Sequence, residues 1–98
     1  MNVEWSESAS RHLQAVHDYI AADSEQYALS MVDRITRSSV GIAALPEAGH
    51  IVPEYDSPSV REVIQSPYRI IYSVSAERIT ILAVIHAARL LPEDVRLL

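Results

Sequence analysis

The hydrophobic period of this chain changes once, at Leu45-Pro46, and that switch constrains the fold more than any other feature. Upstream, apolar residues recur at helical spacing; downstream, they come in short runs suited to strands. Ser6 followed by Glu7 reads as a helix start, since a serine hydroxyl can accept from a free amide of the first turn. Ala9, Leu13, Val16 and Ile20 then share one face, which predicts a helix over 7–22. Ser24, with Glu25 behind it, caps a second helix whose stripe of Ala28, Met31, Val32, Ile35 and Ile42 runs on to Leu45, where Pro46 ends it. The join Ala22-Asp23-Ser24 is too short for anything but an antiparallel pair, and the apolar side of that pair needs another layer to cover it. Gly41 inside the second stripe costs about 1 kcal/mol relative to alanine and weakens the last turn.

Beyond Leu45, the stretch Pro46 to Ser59 is dense in turn formers (Pro46, Gly49, Pro53, Asp56, Ser57, Pro58) and reads as one long loop. Three β-prone runs follow, 60–65, 68–75 and 78–86, separated by Ser66-Pro67 and Ala76-Glu77. Such short connections predict an antiparallel meander, to which Asn2–Trp5 can add a strand. The expected fold is α+β: an N-terminal antiparallel helical hairpin packed on one face of a small antiparallel sheet of three to four strands. With 98 residues, 49% of them apolar and 21% charged, the chain suits one globular domain over 1–98.

In the middle strand Tyr68, Ile70, Tyr72 and Val74 point to the helices, and Arg69, Ile71, Ser73 and Ser75 point away. Strict alternation in the last strand places Ile79, Ile81, Ala83 and Ile85 on the first face and Leu82, Val84 and His86 on the second. Two helices cover only one face, so the second is expected to present an apolar strip of Ile71, Leu82 and Val84, edged by Arg and His, as a groove for another polypeptide. The competing arrangement is a central strand buried by the chain's own loop or tail.

Composition narrows the chemistry. No cysteine is present, which excludes disulfides, thiolate metal sites and cysteine nucleophiles. His12 and His17 lie about 140° apart around a helix, so no metal pair forms there. Two glycines, Gly41 and Gly49, cannot build a phosphate loop, and no cofactor is expected. His50 reads as a solvated loop residue. No apolar run approaches a membrane span and the start lacks a signal-peptide pattern, so a cytoplasmic protein without membrane contact is expected. The net charge of −5 disfavours nucleic acid and predicts no direct DNA binding by this chain alone, but it is unevenly spread: −6 over residues 1–56 and +1 over 57–98. All eight basic residues are arginine, the side chain suited to forked recognition of carboxylate or phosphate. The chemically interesting set is therefore Tyr68, Arg69, His86 and Arg89, with Arg61 one strand away. If these converge on an anion, His86 supplies an acid or base and Arg69 a cation, as metal-free RNA cleavage requires. If instead Arg69 and Arg61 pair with Glu62 or Glu54 and His86 caps a strand end, the set is structural.

The words Trp5-Ser6, His17-Asp18-Tyr19-Ile20-Ala21, Leu45-Pro46-Glu47-Ala48-Gly49-His50, Val60-Arg61-Glu62-Val63, Pro67-Tyr68-Arg69-Ile70-Ile71-Tyr72 and Ile81-Leu82-Ala83-Val84-Ile85-His86-Ala87-Ala88-Arg89, in this order, resemble the RelE/ParE superfamily of toxins from bacterial type II toxin-antitoxin systems, and most of all its ParE branch. The resemblance spans residues 3–89. It implies a toxin that arrests growth by binding DNA gyrase, associated with plasmid stabilization and neutralised by a cognate antitoxin, often of ribbon-helix-helix type, seated here on Ile71, Leu82 and Val84. A toxin dimer within a hetero-oligomer is also compatible with it. The alternative it implies is a ribosome-dependent mRNA endoribonuclease of RelE type using Arg69 and His86. Arg69 matches a strand arginine found in both branches, but lysine is absent, Ala87 and Ala88 follow His86, and no tyrosine lies beyond Tyr72. These departures favour an inhibitor that acts by binding, with Arg89, Arg69 and His86 as target-contact residues.

Overall fold

The structure, a computed structural model, describes residues 1–88. Its elements are β1 (Asn2–Trp5), α1 (Glu7–Ala21), α2 (Glu25–Ile42), β2 (His50–Ile51), β3 (Val60–Gln65), β4 (Tyr68–Val74) and β5 (Arg78–His86). Both helices start where the sequence places them: Ser6 Oγ accepts from the Ala9 amide at 3.0 Å and Ser24 Oγ from the Tyr27 amide at 3.2 Å. Ala9 and Val16 of α1 are buried, with Leu13 and Ile20 packed beside them. In α2 the buried stripe is Ala28, Met31, Ile35, Ser39 and Ile42. Val32, expected in that stripe, sits at its edge and is half-buried. The helix stops at Ile42 and not at Leu45, which the turn after Gly41 leaves exposed.

The sheet has five strands in the order β1-β5-β4-β3-β2. This exceeds the expected three to four because His50–Ile51 pairs with β3, inside the stretch read as loop. The sheet is antiparallel except at β1, which runs parallel to β5. The hairpin covers one face, where Ile35, Ile70, Tyr72, Ile79 and Ile81 are fully buried in a single core. Each such isoleucine contributes about 1.5–3 kcal/mol by leaving water.

A β-bulge corrects the expected faces of β5. Tyr72 pairs with Ile81 and Ile71 with Ala83, so Leu82 is an extra residue in the ladder. Past the bulge the alternation reverses: Ala83 and Ile85 join the second face, and Val84 packs into the helix-covered core. The N-terminal part of the chain holds the bulge in place. Ser6 N–H donates to Ile81 O at 3.0 Å, and the Val84 amide donates to His12 Nδ1 at 3.2 Å, so a backbone donor beside the bulge is satisfied by α1.

The second face also departs from expectation, because it is not an open strip. Val52, Val60, Ile71, Leu82, Ala83 and Ile85 form a second buried cluster, with Tyr55 packed against it. Ile71 is 0%, Leu82 7% and Val84 2% exposed. The segment between β2 and β3 carries Val52 and Tyr55 onto this face, the self-covered arrangement that the sequence left as the alternative.

Candidate functional site

Under that segment lies a cluster of buried charge. Arg69 projects from β4 to the second face and donates from Nη1 to Glu54 Oε2 at 2.9 Å and from Nη2 to Glu54 Oε1 at 2.8 Å. The same Nη2 donates to Glu62 Oε2 at 2.8 Å. The three side chains are 7%, 7% and 12% exposed for Arg69, Glu54 and Glu62. Hydrogen bonds from Glu54, and secondarily from Glu62, push the guanidinium pKa further up, so Arg69 is a fixed cation. Its charge is more than balanced by two carboxylates, a poor setting for a phosphate.

Arg61 serves the fold in another way. Its Nε donates to Pro58 O at 2.8 Å, and its Nη1 to Glu47 O and Gly49 O, each at 3.1 Å. It pairs with backbone carbonyls and not with Glu62 or Glu54. Tyr72, fully buried, donates its hydroxyl to Pro46 O at 2.7 Å and accepts from Gly49 N–H at 3.2 Å. Burial pushes its pKa up, as it does for Tyr68, so both phenols stay protonated, and that of Tyr72 acts as a donor.

His86 does not meet Arg69. It pairs across the ladder with Tyr68, on the helix side of the sheet, and its ring stands edge-on to that of Tyr68 at 6.0 Å between centroids. Its Nδ1 accepts from the Ala88 amide at 3.2 Å, so it caps the strand end while its side chain remains exposed. Arg69 pairs with Ile85 and faces the other way. The acid, base and cation that RNA cleavage would need are therefore split between two faces, and the expected convergence of Tyr68, Arg69 and His86 does not occur. Arg89 lies outside the described residues. His50 is exposed on β2, and no group of His, Asp and Glu able to hold a metal is found among the described residues.

An open groove of about 550 Å³ is lined by Trp5 of β1, by Ser10, Leu13, Gln14 and His17 of α1, and by Val32 and Thr36 of α2. Leu29 and Val40 of α2 are exposed beside it, and at i, i+3, i+7 and i+11 the residues Leu29, Val32, Thr36 and Val40 form one stripe next to the buried one. Sequence reasoning missed this groove because Val32 reads as core. The signal available was a second, weaker stripe along α2.

His17 closes the hairpin end of the groove, with Nδ1 3.0 Å from Asp18 and Nε2 3.0 Å from Glu25. Hydrogen bonds to Asp18 and then Glu25 raise its pKa, and the Asp18 carboxyl is correspondingly lowered. A raised imidazole pKa means that this link stabilises the fold fully below the unfolded value of about 6.5 and is lost as pH climbs through the folded value. The melting temperature should therefore fall between about pH 6 and pH 8 in the native chain and fall less in His17→Gln, measured by circular dichroism. Equal slopes for the two proteins would show that His17 carries no such linkage.

A family model described as the ParE toxin of the type II toxin-antitoxin system parDE matches residues 3–91. The chain belongs to the ParE toxin family. Among solved structures, the chromosomal ParDE TA system from P. aeruginosa is similar to this ParE family member at 24% identity, covering 88% of this chain and 95% of that one with a TM-score of 0.72. The YoeB dimer from Staphylococcus aureus is similar at 16% identity over the same shares, with a TM-score of 0.58. At these identities the likeness concerns the fold. No match was found among curated proteins.

Proposed function

We propose that this ParE family member arrests growth by binding DNA gyrase, without cleaving nucleic acid, and is neutralised by a cognate antitoxin of ribbon-helix-helix type. Family membership over residues 3–91 supports the toxin role. The observation that carries the non-nucleolytic reading is the separation of Arg69 from His86, with Arg69 bound to two carboxylates. In this reading the toxin works in the cytoplasm, stabilises a plasmid or chromosomal segment that encodes the pair, and dimerises within the toxin-antitoxin complex. Among the described residues no helix is long and apolar enough to cross a membrane. Arg69, enclosed within the chain, is assigned to the fold; His86, which is exposed, is assigned to the target together with Arg89, which lies outside the described residues. The purified chain should block gyrase supercoiling and leave message intact in cell-free translation, and His86→Ala should leave RNA integrity unchanged while weakening growth arrest. Cleaved message with normal supercoiling would overturn the proposal in favour of the RelE-type nuclease.

In the same reading the antitoxin is seated on the hairpin groove and not on the second sheet face. Ile71, Leu82 and Val84 are enclosed by the chain itself, whereas the hairpin groove is open and apolar along Trp5, Leu13 and Val32. An apolar helical segment fits such a groove through anchors at i, i+3 or i+4 and i+7. Val32→Asp should weaken antitoxin binding at least about tenfold in calorimetry, since one desolvated charge costs more than the 1.4 kcal/mol that a factor of ten represents. Ile64→Asp, on the exposed end of β3, should not. Equal effects from both would remove the groove as the seat.

A further inference from the structure

We propose that residues 52–59 form a hinged cover over the second sheet face, fastened by the Glu54 carboxylate on the two terminal nitrogens of Arg69, and that this cover opens as a unit while the helical hairpin stays folded. The placement of its anchors supports this. At one end the short strand β2 ties the segment to β3 through His50 and Ile51. At the other, Arg61 binds Pro58 O at 2.8 Å, and Val74 N–H donates to Ser59 O at 2.8 Å. Between these points the segment turns on itself, with Tyr55 N–H donating to Val52 O and Val60 N–H to Ser57 O. Its middle reaches the sheet through side chains, among them Val52, fully buried on Ile71 and its neighbours, Tyr55 packed beside it, and Glu54 on Arg69.

The cluster is asymmetric in a way that makes it a fastener. Glu62 belongs to β3, in the ladder next to Arg69's strand, so its bond to Nη2 lies within the sheet. Glu54 belongs to the cover, and its two bonds to Arg69 cross the boundary. With Glu54 withdrawn, Arg69 keeps its bond to Glu62. The open state thus keeps the Arg69–Glu62 ion pair on the sheet and exposes the apolar patch of Val60, Ile71, Leu82 and Ala83. The helices pack on the opposite face through a separate core, so lifting the cover breaks none of their contacts with the sheet.

Hydrogen exchange measured by mass spectrometry on the full chain tests this. In Glu54→Gln, amides of residues 52–59 should exchange at least about tenfold faster, while those of α1 and α2 change by less than about twofold. Glu62→Gln leaves both Glu54 bonds in place and should leave cover exchange within about twofold of the native chain. A dye that reports exposed apolar surface should bind Glu54→Gln more than Glu62→Gln. Acceleration spread evenly over cover and helices, no acceleration of the cover, or equal opening in the two variants would each overturn the proposal. If Glu54→Gln does not fold, Arg69→Lys serves in its place, since a single ammonium cannot hold the carboxylate at two points and the cover should again exchange faster than the helices.

Discussion

Replacing Arg69 with alanine is expected to lower the unfolding free energy by about 3–5 kcal/mol, the cost of removing one partner from a buried ion cluster. The magnitude follows from what remains. Glu54 and Glu62, 7% and 12% exposed, would face each other as carboxylates without the guanidinium that joins them. The chain can relieve that repulsion by lifting residues 52–59, but it then loses the burial of Val52, worth about 1.5–3 kcal/mol, and the contacts around it. Urea unfolding monitored through Trp5 reads the effect. Changing Arg69, Glu54 and Glu62 together to apolar residues of similar volume should recover most of the loss, since desolvation then ceases to matter. A loss below about 1 kcal/mol for Arg69→Ala would mean that water already reaches the cluster. Loss of toxicity in Arg69→Ala is thus expected through the fold, and a nuclease role cannot be inferred from it.

The same substitution at the two glycines should have opposite signs. A Cβ on Gly49 would meet the Tyr72 hydroxyl and lie 2.8 Å from Glu62 O, both fixed parts of the interior. Gly49→Ala should therefore cost about 1–3 kcal/mol by overpacking. Gly49 is needed for space and not for conformation, because its φ is not positive. In a Tyr72→Phe background, where the hydroxyl is gone, the cost should shrink by at least about 0.5 kcal/mol, a coupling that a thermodynamic cycle in urea can resolve. At Gly41 an added Cβ meets nothing within 4 Å, and the residue lies in an exposed helical turn. Gly41→Ala should stabilise by about 0.5–1 kcal/mol. Equal signs at the two sites would contradict this account of the loop.

The hairpin was legible because its signals are local: a capping serine, an acidic first turn, an apolar stripe and a join too short to do anything but reverse. The meander was legible for the same reason. β2 was not, since two residues cannot display a period. The bulge was hidden by the composition of β5, which is apolar on both sides from Ile81 to Ile85, so no polar residue marks a change of face there. The covered second face depended on Val52, one apolar residue in a turn-rich stretch whose destination only tertiary structure decides. The partners of Arg69 were among the candidates, Glu54 and Glu62, but choosing between them and an external anion required knowing that the segment bearing Glu54 folds over Arg69 and Glu62.

The bulge at Leu82 has a chemical consequence beyond its effect on packing. Had β5 continued from the Tyr72–Ile81 pair without it, Val84 would stand opposite Arg69 and His86 would emerge on the arginine's side of the sheet. An imidazole and a guanidinium would then be neighbours, as acid-base cleavage of a phosphodiester needs. One residue left out of the ladder, beside backbone bonds from Ser6 and to His12, keeps the imidazole and the guanidinium on opposite sides of the sheet.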